Sequence, residues 1–139
     1  MTILERAAMA QDMAANANMF SADIKSTGHV ATYGILFDVA KSEIKPESRQ
    51  AIDEIAKLLT ADPSLKVYVV GNTDAVGSVD ANVKLSQDRA DAVVQALVRN
   101  HGIQAARLKS FGNGPFAPVA SNDRDAGRAK NRRVELVAQ

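Results

Sequence analysis

The stretch GNTDAVGSVDANVKLSQDRA, Gly71 to Ala90, decides how the chain is read, because it joins the end of one element to the start of another. Ser78 has a hydroxyl that can accept from an N–H of a first helical turn, and Gly102 suits the left-handed residue that stops a helix. From about Ser78 to Asn100 the spacing predicts one long helix. Ala90, Val93, Val94, Leu97 and Val98 fall on its apolar face, and Lys84, Asp88, Asp91, Gln95 and Arg99 on its solvated face. Asn82, Leu85, Ser86 and Arg89 recur at i, i+3, i+4 and i+7 and so stack along one side, with Arg89 on the flank between the two faces. Just upstream, LKVYVVGN sets Leu65, Val67 and Val69 against Lys66, Tyr68 and Val70, which predicts a strand.

Working outward, HVATYGILFD is short and rich in β-branched and aromatic residues, and predicts a strand ending near Phe37 or Asp38. Pro46 sits well at the start of a second helix, whose buried stripe would be Ile52, Ile55, Ala56 and Leu59. ARLKSFGNG and KNRRVELVAQ offer two more strands, separated by a turn-rich loop with a short helix after Ser121. The expected fold is therefore an α/β (α+β) sandwich: a small mixed sheet of about four strands with two main helices on one face. Strands joined through helices would be parallel where they are neighbours, the last strand running antiparallel. Residues 4–20, rich in Ala and Met, predict a further helix that packs on the domain or on a second copy as a homodimer. The expected division is an N-terminal helical extension over 1–27 and a domain over 28–139.

Composition narrows the function. Lys and Arg number 17 against 16 Asp and Glu, a net charge of +1, so no global field draws in nucleic acid or anionic lipid. Arg124, Arg128, Lys130, Arg132 and Arg133 crowd together, but Asp123, Asp125 and Glu135 interrupt them and no aromatic residues interleave, which argues against a nucleic-acid footprint. In a strand, Arg133 and Glu135 share a face and would pair structurally. The absence of cysteine excludes disulfides and thiolate chemistry, and His29 and His101 stand apart, so neither a metal nor a cofactor is expected. The first 20 residues contain no continuous apolar run, so this segment is not expected to insert in a membrane.

Asp74 then stands in a loop at a strand's carboxyl end, the place where α/β sheets usually bind ligands, and the long helix brings Arg89 back past it. An acid and a base held at one cleft can grip a zwitterion, the guanidinium on a carboxylate and the carboxylate on an ammonium. On pattern alone the commoner outcome is that they pair with each other or with solvent. A catalytic reading would use Asp38 and Asp74 as a carboxylate pair for sugar hydrolysis, but nothing in the sequence supplies an environment that raises one pKa, and no enzyme is expected.

TDAVGSVDANVKLSQDRADAVVQAL, GI at 102–103, RLKSFGNGPFAPVASN and GRAKNRRVEL, in this order and spacing, resemble the OmpA-like domain of bacterial envelope proteins over roughly residues 28–139. That family includes porin-like proteins of the outer membrane, peptidoglycan-associated lipoproteins and flagellar stator subunits. The resemblance implies non-catalytic binding of peptidoglycan through the diaminopimelate of its stem peptide, in the periplasm, anchoring an envelope protein or the outer membrane to the cell wall. It assigns Asp74 and Arg89 to the amino-acid head of diaminopimelate, with Asp38, Thr73, Asn82 and Leu85 around them. The sequence departs from the family at Asn72, where GNTD replaces GHTD. That departure leaves open a second reading, a protein-interaction module of the same fold that has lost wall binding.

Overall fold

The computed structural model describes residues 17–139. The first part of the expected N-terminal helix, residues 4–16, lies outside them. Three helices lean on one face of a four-stranded sheet whose order is β1-β4-β2-β3. In chain order these are α1 (Ala17–Thr27), β1 (His29–Thr32), α2 (Arg49–Ala61, entered through a 3-10 turn at Pro46–Ser48), β2 (Val67–Asn72) and α3 (Val79–His101). A 3-10 turn at Ala105–Arg107 leads into β3 (Leu108–Gly112), followed by α4 (Asp125–Asn131) and β4 (Arg133–Ala138).

The sheet is mixed, as the sequence predicts. β2 and β3 are parallel, joined through α3, and β4 runs antiparallel to both β1 and β2. β1 and β2 therefore point the same way but are separated by β4. The first strand is shorter than its composition suggests, ending at Thr32 rather than near Phe37. Its one sheet neighbour among the described residues, β4, begins at Arg133, so past the Thr32–Val134 pair the strand runs out of partner. Phe37 instead makes an isolated bridge to Ile44.

Alternation places Val67 and Val69 of β2, Leu108 of β3 and Val134 and Leu136 of β4 beneath the helices. Ile55 and Leu59 of α2 and Val93 and Leu97 of α3 meet them, all fully buried. α1 adds Phe20 and Ile24 to the same cluster, and the Ala17 N–H donates to Glu54 Oε2 at 3.0 Å. Arg107 closes the end of α2, donating to the carbonyls of Leu59 at 2.7 Å and Asp62 at 2.8 Å, groups that a helix leaves unpaired at its C-terminus.

α3 has the bounds that its caps dictate. Ser78 Oγ accepts from the Ala81 N–H at 3.2 Å, and Gly102 takes φ 67° at the other end. The helix is seated on the carboxyl ends of β2 and β3, where side chains are absent. A Cβ on Gly112 would lie 2.4 Å from the Gln87 nitrogen, so the helix backbone can rest there only against glycine. Gln87 fixes the contact, accepting from the Gly112 N–H at 2.8 Å and donating to Ser110. Among the described residues, no helix is long and apolar enough to cross a membrane.

Candidate functional site

Three loops converge at the carboxyl ends of β2 and β3. The first follows β1, the second joins β2 to α3, and the third joins β3 to β4. Asp74 heads the second. Its Oδ1 accepts from the Val76 N–H at 3.0 Å, a local turn that fixes the carboxylate against the loop backbone. Thr73, buried beside it, donates its hydroxyl to the Asp74 carbonyl at 2.8 Å, and its N–H to the carbonyl of Gly114 at 2.9 Å. Asn82, one turn into α3, donates to the Val76 carbonyl at 2.9 Å and ties the loop to the helix.

Arg89 is almost wholly buried, at 7% exposure, as its flank position allows. Its guanidinium lies over the Phe37 ring, 4.8 Å from the centroid. Nε donates to the Lys41 carbonyl at 2.9 Å and Nη2 to the Asp38 carbonyl at 3.2 Å. Those carbonyls come from a tight turn in which the Lys41 N–H donates to the Asp38 carbonyl and Ala40 adopts φ 57°, a left-handed conformation that costs a non-glycine residue about 1 kcal/mol or more. The turn and the ring fix the guanidinium on one side, and its Nη1 has no hydrogen bond among the described residues.

Asp74 and Arg89 do not pair. Among the described residues no ion pair within 4 Å joins them, and Asp74 Oδ2 instead accepts from Arg132 Nη1 at 2.7 Å. Both charges still act on Arg89. Burial, first, lowers its proton affinity, the Arg132 charge lowers it further, and Asp74 opposes them. The centre is thus two guanidiniums about one carboxylate, an excess of one positive charge.

The other residues singled out in the sequence divide by role. Asp38 contributes its carbonyl, while its side chain is exposed and meets Lys45 at 3.4 Å. Leu85 is half-buried on α3, one turn before Arg89, and adds surface rather than a polar group. Asn72 is buried, its Oδ1 accepting from Asn113 at 3.1 Å, so it joins β2 to the third loop. Arg133 and Glu135 pair at 2.5 Å, as their shared strand face predicts.

Arg132 is the residue that sequence reasoning left out of the site. It was visible as one charge in a basic cluster, and strand alternation already separated it from Arg133. What holds it in place is Asn131, fully buried, whose Oδ1 accepts from the N–H groups of Val119 and Ala120 and whose Nδ2 donates to the Ala120 carbonyl and to Asn122. These bonds fold the third loop around the start of β4.

Concavities of about 440 and 530 Å³ lie elsewhere, between α2 and the last turns of α3, and share Asp53 and His101. Those two side chains already meet at 3.1 Å, and neither hollow has a charged group set on a fixed backbone cradle as Arg89 is. Among the described residues, no group of three or more His, Asp or Glu is placed to hold a metal ion.

Known proteins resemble the chain over most of its length. Outer membrane protein A of Bordetella avium is 44% identical over 100 residues, 72% of this chain and 51% of that protein. The peptidoglycan-binding protein ArfA of Mycobacterium bovis is 37% identical over 117 residues, 84% of this chain and 36% of its own length. The chain thus spans about half the length, or less, of these curated relatives. The crystal structure of the peptidoglycan-associated lipoprotein from Burkholderia pseudomallei superposes with a TM-score of 0.69 at 31% identity, covering 76% of this chain and 88% of that one. The profile of the OmpA family matches residues 36–132, a span that holds Asp74, Arg89 and Arg132, and the chain belongs to that family.

Proposed function

We propose that this domain binds peptidoglycan without catalysis, gripping the zwitterionic head of diaminopimelate in the stem peptide, and that it anchors an envelope protein or the outer membrane to the cell wall from the periplasm. The observation that carries the reading is the state of Arg89: buried, oriented by two carbonyls and a ring, and with an Nη1 that has no hydrogen bond among the described residues, beside a carboxylate with which it does not pair. A guanidinium so fixed presents a ready fork to a ligand carboxylate, and little entropy is lost when the ligand arrives. Asp74 accepts from the Val76 N–H and from the half-exposed Arg132, and its carboxylate is the acceptor that an ammonium on the same ligand carbon would take. Family membership and the names of two relatives, a peptidoglycan-binding protein and a peptidoglycan-associated lipoprotein, support the wall as the source of that ligand.

Co-sedimentation with purified sacculi tests the reading. The parent protein is expected to pellet with diaminopimelate-containing walls and to remain mostly in solution with lysine-containing walls, which lack the second carboxylate. Removing Arg89 or Asp74 strands a charge in a half-desolvated site, so Arg89→Ala and Asp74→Ala are expected to lose about 2–5 kcal/mol of binding. If both variants pellet like the parent, the site lies elsewhere. Equal pelleting with the two wall types would remove diaminopimelate as the ligand while leaving wall binding in place.

A further inference from the structure

The two guanidiniums at the site differ in their freedom to move. Arg89 is immobilised by the Lys41 and Asp38 carbonyls and by Phe37. Among the described residues the Arg132 side chain makes one hydrogen bond, to Asp74 Oδ2, and it is 46% exposed, while the side chain of Asp74 is only 13% exposed. Its backbone is held by buried neighbours: Asn131 pins the third loop, and Arg133 donates to the Ala117 carbonyl at 2.8 Å. A fixed root with a side chain able to swing into water describes a counter-ion that can be exchanged.

Resting on the proposed zwitterion site, we propose that Arg132 is a specificity-determining residue, an internal cation that occupies the acid of the site until a ligand carrying both charges displaces it. A ligand ammonium has to compete with Arg132 for Asp74. A ligand that brings only an ammonium leaves the released guanidinium with no acceptor, and exchanges one ion pair for another with no gain. A zwitterion also brings a carboxylate, which the fixed Nη1 of Arg89 and the released Arg132 can share. The charge count points the same way: a zwitterion adds no net charge and leaves the excess at one, whereas an amine alone raises it to two. Discrimination against the amine comes from the unpaired charge that it leaves behind.

The test uses two soluble stem peptides, one with meso-diaminopimelate and one with L-lysine at the same position, titrated against the parent, Arg132→Gln and Arg132→Lys by calorimetry. The parent is expected to prefer the diaminopimelate peptide strongly. In Arg132→Gln the diaminopimelate peptide should bind more weakly, the lysine peptide at least as tightly as to the parent, and the preference should shrink about tenfold. Arg132→Lys keeps the charge and should recover part of the preference. A thermal melt near the parent's is expected for both variants, since the side chain is half exposed.

If Arg132→Gln weakens both peptides by one common factor, Arg132 merely supports the loop and the proposal is overturned. The same holds if Arg132→Lys recovers nothing. A parent that saturates with neither peptide overturns the zwitterion site itself, and this inference with it.

Discussion

Gly71 on β2 and Ser86 on α3 meet backbone to backbone, so closely that a Cβ on Gly71 would stand 2.2 Å from the Ser86 carbonyl oxygen. Nothing larger than hydrogen fits there. The contact sets the height of α3 above the sheet, and Arg89 lies one turn further along the same helix. Gly71→Ala is therefore expected to lift the helix, to destabilise the fold by about 1–3 kcal/mol as overpacking does, and to weaken wall binding although no ligand contact is altered. Denaturant midpoints and co-sedimentation measured on one preparation check both effects. Unchanged binding in a destabilised variant would show that Arg89 does not depend on the seating of α3.

Phe37 lies beneath the Arg89 guanidinium. Replacing it with Leu keeps an apolar side chain at a half-buried position but removes the ring face that the cation rests on. The expected loss is about 1–2 kcal/mol in muropeptide affinity, with only a small change in stability. A titration beside a thermal melt separates the two.

Asn131 makes four hydrogen bonds from a fully buried side chain. Asn131→Ala leaves the N–H groups of Val119 and Ala120 without that acceptor, at a cost of about 1–3 kcal/mol for each group that water cannot reach. Arg132 would lose its fixed root at the same time. Amide exchange should rise first at Val119 and Ala120 if the loop is held as described.

Glu54 gives the chain a pH dependence with a definite sign. The Ala17 N–H, and after it Lys57, hold its carboxylate below the usual value of 4.5. A group whose proton affinity is lowered by folding stabilises the fold above its unfolded pKa and loses that contribution as the pH falls through the folded value. Attachment of α1 is thus expected to weaken as the pH drops below about 4.5. Urea midpoints at neutral pH and near pH 3 should differ less in Glu54→Gln than in the parent, and an equal difference would show that Glu54 is not the group responsible.

How much of this was legible depended on whether the determining contacts were local. Ser78 and Gly102 mark the ends of α3 through bonds within a turn of themselves, so sequence alone places the helix to within a residue or so. Arg89 on the helix flank is equally readable, because 3.6-residue geometry decides it. Its partners are not: the Lys41 and Asp38 carbonyls reach it through a turn containing Ala40 at φ 57°, a conformation that alanine does not advertise. Asp74 and Arg132 are 58 residues apart, and nothing near either residue names the other. Pattern favoured a direct bond between Asp74 and Arg89, and family resemblance favoured a ligand between them. The observed geometry leaves both side chains at the site, with the acid held by a third residue that neither route had selected. The length of β1 failed for a related reason: composition describes a strand's preference, while its extent is set by where the neighbouring strand begins.

The sheet order carries a consequence in time. β4 is the last strand of the fold in sequence, yet it lies between β1 and β2 and is the neighbour that joins them. A chain emerging from its N-terminus can pair β2 with β3 through α3, but β1 stays without a sheet partner until β4 arrives. Arg132, on the threshold of β4, reaches Asp74 in that same closing step. The pairing of Arg132 with Asp74 therefore cannot form before the sheet is complete.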